Sequence, residues 1–282
     1  MRLFTILCLA TGLMAQESTD ARGWLNQGVQ AFKAANYTEA IKCFERSVSA
    51  DPNLAAAHLY LGTAYMQQYV PGRQSTENQA MADSATRAFL RVLEMEPQNT
   101  VAMASLASLN LNQKKWDEAQ QWYGNLIAVD PANADAFYSL GFIAWSKWYP
   151  PYMEARRSLG MQQADPGPMP DGAAKQELKA RYTQVVADGL RTLNRALELK
   201  PDYADAMAYI NLLIRERADL DDTKADYERE IATANDWVDK ALAAKKKLAE
   251  GAVNAPPPPP PPPSSTAPLR RRIAIAANVV AA

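Results

Sequence analysis

The residues that most often carry chemistry are scarce in this chain. His58 is the only histidine, and Cys8 and Cys43 are the only cysteines. No histidine pair can be built for acid–base work. A zinc site of cysteine and histidine ligands cannot be assembled within one chain from so few donors. No glycine-rich phosphate loop is present. Asp219, Asp221 and Asp222 are clustered, yet they lack the glycine and the distal glutamate of a calcium loop and read as a solvated turn between helices. Cys43 stands beside Phe44 in a helical stretch with nothing nearby to depress a thiol pKa, so it reads as a buried packing residue. The expectation is a non-enzyme with no catalytic residues, no cofactor and no metal.

With chemistry set aside, the elements that would position a binding surface become the question. The 282 residues are 48% hydrophobic and 22% charged, the balance of a chain that can bury a core. The formal net charge is −1, so no overall field steers the chain to nucleic acid or to an anionic membrane. At the N-terminus, Arg2 is followed by an apolar stretch over residues 3 to 15 and then by the small Ala15 before Gln16. That pattern predicts a secretory signal peptide, residues 1–15, cut after Ala15, with a retained anchor as the alternative. The stretch is shorter than the ~20 residues needed to span a bilayer. Export would put the mature chain in the bacterial periplasm or envelope, with Cys43 as its lone cysteine and no disulfide.

Self-similarity is the strongest signal. Trp24, Gly28, Ala31, Ala40, Phe44 and Pro52 form a spaced set that recurs as Leu61, Gly62, Tyr65, Ala85, Phe89 and Pro97. A third copy reads Leu106, Ala107, Ala119, Tyr123 and Pro131. Leu140, Gly141 and Ala144 open a fourth that Leu193, Ala196 and Pro201 finish, and Ile210 with Asn211 open a fifth. In this pattern His58 takes the slot of Trp24 and is expected to pack between helices. The small column permits close helix approach, the aromatic column fills the space between helices, and each proline ends a second helix.

These positions resemble the tetratricopeptide-repeat (TPR) signature, and the resemblance covers residues 21 to about 250. It implies an all-α fold: a TPR solenoid, a right-handed superhelix of helix pairs, with about five repeats over 21–250. Pro52 to Pro97 spans 45 residues and Pro131 to Pro201 spans 70, where 34 is usual. Insertions are therefore expected near 67–79 and 145–172, between paired helices. The last helix, from about Thr223 to Glu250, shows an apolar stripe of Tyr227, Ile231, Ala234, Val238, Ala241 and Leu248. The tail, 251–282, holds eight consecutive prolines at 256–263. It reads as a disordered polyproline spacer, ~25 Å when extended, followed by a short arginine-rich end. Helical repeats joined to a polyproline spacer and the Arg272-Ile273 to Asn278-Val279 stretch resemble the linker of TonB-like energy transducers fused to TPR domains. The folded C-terminal domain of such transducers has no counterpart in this sequence. The middle of the chain is similar to a group of exported bacterial TPR proteins.

In TPR proteins the first helix of each repeat lines a concave groove, so the resemblance implies the partner-binding positions. They are Leu25, Val29 and Phe32 in repeat one, Leu59, Thr63 and Met66 in repeat two, and Tyr138, Phe142 and Trp145 in repeat four, with Trp148 from the second insertion. The groove is apolar. It lacks the lysine and asparagine that carboxylate-clamping TPR domains place where Leu25 and Val29 stand. Two readings of the aromatic insertion stay open, a plug that fills the groove and a surface that binds. The expected function is a non-enzymatic interaction scaffold in an envelope complex, binding a protein or peptide and no nucleic acid. The alternative is a tethering component of a TonB-like outer-membrane transport system.

Overall fold

The computed structural model describes residues 7–254, with side chains described for 20–250. The start of the apolar leader, the proline run and the arginine-rich end lie outside the described residues. Ten helices follow one another: α1 (Leu7–Lys33), α2 (Tyr37–Ala50), α3 (Ala55–Gln68), α4 (Thr76–Met95), α5 (Thr100–Asn112), α6 (Trp116–Val129), α7 (Ala134–Ser158), α8 (Ala173–Leu199), α9 (Ala204–Ala218) and α10 (Lys224–Asn254). There is no strand among the described residues. No described helix is long and apolar enough to cross a membrane.

Local sequence explains where the helices stop and start. α2, α4, α6 and α8 each end two residues before Pro52, Pro97, Pro131 or Pro201, because the residue preceding a proline is pushed out of the helical region. Asparagines then open the next helices: Asn99 Oδ1 accepts from the Ala102 N–H at 2.9 Å and Asn133 Oδ1 from the Ala136 N–H at 3.0 Å. Such caps satisfy donors that a helix start leaves free, at about 1 kcal/mol each.

The helices pack as five hairpins, α1–α2 through α9–α10, stacked in chain order. The small column meets the large one inside each hairpin. A methyl group added at Gly62 would lie 2.8 Å from the Phe89 ring, and Phe44 and Leu193 press on Gly28 and Gly141 in the same way. Phe44, Phe89 and Leu193 are fully buried. His58 is buried as expected, its Nε2 3.0 Å from the Pro52 carbonyl oxygen. Cys43 is buried too, and burial pushes its thiol pKa up. First helices touch one another, α1 with α3, α3 with α5 and α7 with α9, and no pair of second helices makes a comparable contact among the described residues. The first helices therefore line the inner side of the curve.

Three sequence expectations change. Residues 145–158 do not leave the helix: α7 continues through Pro150 and Pro151 to Ser158, and α8 begins early, at Ala173. The extra residues thus lengthen both arms of one hairpin and add a 159–172 connection. The two prolines withhold donors from the carbonyls one turn back, and the helix persists because Trp148, Tyr152 and Ala155 bury its other face. Asp219 is not in a solvated turn. It is 2% exposed, accepts from the Tyr152 hydroxyl at 2.8 Å, and forms an ion pair with the equally buried Arg156. Leu248 is 56% exposed, and the packed stripe of α10 closes on Ala244 instead.

Candidate partner-binding groove

The long α7 carries two apolar stripes with different fates. Gly141, Ala144, Trp148, Tyr152 and Ala155 are buried, facing α8 and the core. Tyr138, Phe142, Trp145 and Tyr149 recur at intervals of four, three and four, so they share another face, and all four are half-buried. The aromatic residues of the insertion are thereby divided. Trp148 leaves the groove set: it is fully buried, because its place one heptad after Gly141 points it at the second helix. Trp145 stays on the inner face.

That inner stripe meets Tyr203, just before α9, and Tyr209 within it. Tyr138 lies 4.9 Å from Tyr203 and 5.9 Å from Tyr209, measured between ring centroids. Tyr209 is 5.3 Å from both Phe142 and Trp145, and Trp145 stacks on Tyr149 at 4.8 Å. Trp116, at the start of α6, meets Phe142 edge-on at 6.3 Å. The rings form a ladder along the seam between α7 and α9.

A polar floor lies under one end of the ladder. Trp145 Nε1 donates to Glu216 Oε1 at 3.0 Å. Glu216 is 5% exposed, and burial pushes its carboxyl up to about 8, against the opposing influence of the Trp145 and Trp148 indoles. Trp148 Nε1 faces the carboxyl without completing a hydrogen bond, and Glu216 Oε2 likewise has no partner among the described residues. At neutral pH the group is mostly the protonated acid, so the ladder rests on an uncharged base. Below it, Arg156 Nη2 donates to the carbonyls of Gln162 at 2.7 Å and Asp165 at 2.6 Å. Met169 N donates to the Asp219 carbonyl at 2.9 Å. These bonds pin the 159–172 connection under the aromatic wall.

Elsewhere the groove positions are less distinctive. Leu25, Val29 and Phe32 are half-buried side walls of the Phe44 core. Leu59 and Met66 pack beside Phe89, and the Thr63 hydroxyl donates to the Leu59 carbonyl at 2.8 Å within its own helix. Tyr138, Phe142 and Trp145 are brought together as one surface. Counting from the glycine column does not find Trp116, Tyr203, Tyr209 or Glu216. Tyr209 and Glu216 stand seven residues apart, on the side of α9 that faces α7. A helical period within 204–218 pairs the two, but which face meets α7 depends on how hairpins stack. No group of acidic, histidine or cysteine residues suited to a metal occurs among the described residues.

Comparison with known proteins agrees with this architecture. The family model for the tetratricopeptide repeat matches residues 21–54 and a TPR repeat model matches 111–147. The chain carries TPR repeats. Among solved structures the TPR solenoid is similar to the MamA protein, at TM-score 0.56 and 17% identity over 84% of this chain and 98% of that one. It is also similar to MamA from Desulfovibrio magneticus RS-1, at 0.55 and 14% over 81% and 96%. A third is YrrB, described as a TPR protein with an unusual peptide-binding site, at 0.51 and 14% over 84% and 97%. No curated protein sequence matches. At these identities the likeness concerns the TPR fold alone.

Proposed function

We propose that this protein is a non-enzymatic interaction scaffold that receives a protein or peptide partner on the aromatic ladder between α7 and α9. The observation that carries the reading is the half-buried run of Tyr138, Phe142, Trp145, Tyr149 and Tyr209 on the inner side of the solenoid. Aromatic rings dominate the energy of interfaces once they are covered, and a satisfied plug would present no such half-exposed edge. The signal-like N-terminus supports export to the bacterial periplasm or envelope, where an assembly role fits a repeat protein.

Trp145 is tied to the buried Glu216, so Phe142→Ala is the cleaner probe of binding. Affinity capture from envelope extracts with the full chain and this variant tests the reading. Capture is expected to weaken at least about tenfold, ~1.4 kcal/mol, while the helical circular dichroism signal is kept. Undiminished capture would move the partner to another face. A proton-motive motor or an outer-membrane receptor among the captured proteins would favour the TonB-like tethering role.

A further inference from the structure

Beneath the ladder lies one group that can change its charge without leaving the core. Glu216 is 5% exposed and holds Trp145, the ring through which the seam between α7 and α9 is joined. We propose that Glu216 couples one proton to occupancy of the ladder: the acid form receives the partner, and ionisation turns Trp145 and Trp148 onto the carboxylate and weakens binding. The inference rests on the ladder being the partner-binding face and adds how that face is regulated.

The two carboxyl oxygens are unequally placed. Oε1 accepts from Trp145 Nε1 at 3.0 Å, whereas Oε2 and Trp148 Nε1 are both buried with no partner among the described residues. A protonated carboxyl carries its hydrogen on one oxygen and accepts weakly there, while the anion accepts strongly on both. Two indole donors are therefore in place for the anion, and only one is used. Burial opposes the anion, and no cation is among the influences on the group. The two states are closely balanced as a result, with the carboxyl pushed up to about 8 by burial against the pull of the two indoles.

The neighbouring charges leave this balance to the indoles. Asp219, one turn further along α9, raises the Glu216 pKa and is itself paired with Arg156 of α7. Tyr149 and Tyr152 of α7 have pKa values raised by burial, so they stay protonated while Glu216 titrates. Lys147 of α7 binds Asp117. On α9 itself, Arg215 donates to Asn235 and Arg217 pairs with Glu230 of α10. Lys175 of α8 is held by Asp171 and by the Asp221 carbonyl, and Lys179 by Asp222.

Trp145 passes the change to the wall. It stacks on Tyr149 at 4.8 Å and lies 5.3 Å from Tyr209 and 6.2 Å from Phe142, so a turn of its indole alters the face offered to a partner. A partner seated on these rings removes the remaining water above the carboxyl and raises the cost of the anion. Binding then favours the proton, and by reciprocity loss of the proton weakens binding. Affinity is level below the pH at which the free chain gives up the proton, near 8. Above it, affinity falls by up to about tenfold per pH unit.

The test follows the indole N–H resonances of the full chain, labelled with nitrogen-15, from pH 6 to 9.5. Of the six tryptophans, Trp145 and Trp148, assigned from Trp145→Phe and Trp148→Phe, should shift together with one midpoint near pH 8. Neither should shift in Glu216→Gln. Each phenylalanine variant removes a donor from the anion, so the remaining indole should titrate at higher pH, which decides the matter should Glu216→Gln lose its helical signal. No titration, or one that persists in Glu216→Gln, overturns the proposal, and movement of Trp145 alone overturns the two-indole arrangement. Coupling is read with Nile red, an uncharged dye that brightens in apolar sites. Its Phe142-dependent binding, the unaltered chain against Phe142→Ala, should weaken severalfold between pH 7 and pH 9 and stay level with pH in Glu216→Gln. Equal pH dependence in both chains overturns the coupling. If Phe142→Ala binds the dye as well as the unaltered chain at pH 7, the ladder reading fails and the coupling with it, an outcome told apart by an indole titration that is still present.

Discussion

Glu216 shows how a single buried acid records its surroundings. Its carboxyl titrates near 8 in the fold because burial penalises the anion, and near the ordinary carboxylate value of about 4.3 when the chain unfolds. Below both values each state is protonated and the contribution to stability is complete. As pH rises from about 4.5 to 8 the unfolded chain gives up its proton while the folded one keeps it, so stability falls across that window, on the order of a few kcal/mol. Glu216→Gln keeps the shape and cannot ionise. Melting temperatures of the two proteins should agree near pH 5, and the variant should melt higher at pH 8.5. Parallel curves would mean that the carboxyl is solvated.

Among the elements, the α7–α8 hairpin carries the structural departures. Its 25- and 27-residue helices exceed the 13 to 20 residues of α2 to α6, and the Arg156–Asp219 pair ties their connection to the end of α9. Both partners are 2–3% exposed. Removing one leaves the other charge buried and unpaired, so Asp219→Ala should destabilise the protein by ~3 to 5 kcal/mol in urea unfolding. A loss below about 1 kcal/mol would show that water reaches Arg156. The polar floor thus supports the ladder. It was not legible in the sequence, since Arg156 and Asp219 are 63 residues apart and look like ordinary surface charges until α7, the connection and α9 are packed together.

At the scale of the whole molecule, the repeats are flanked by sequence of a different character, an apolar stretch before the first and a proline run after the last. If the chain is exported and cut after Ala15, intact-mass measurement of protein recovered from the envelope should give a chain beginning at Gln16. A mass that retains Met1 would favour the uncleaved anchor. Stacked hairpins contact only their neighbours, so the inner wall is assembled piecewise, and its character changes from mostly non-aromatic in the first two repeats, with Phe32 the aromatic among the six groove positions, to aromatic in the last two.

The repeat pattern alone determined the helix hairpins and where their second helices end, because each follows from local rules: a small residue where helices touch, an aromatic opposite it, a proline after the second helix. Gly28 with Phe44 and Gly62 with Phe89 could be paired by spacing. Tertiary structure decided the rest. It kept α7 helical through Pro150 and Pro151, since burial of Trp148 and Tyr152 outweighs two missing hydrogen bonds. It sent Trp148 to the core and Trp145 to the groove, a split set by the hundred-degree turn between successive helical residues once α8 fixes which side is in. It also placed Tyr209 and Glu216 against α7, because the seam between successive hairpins depends on the angle at which they stack, and no spacing within one repeat encodes that angle.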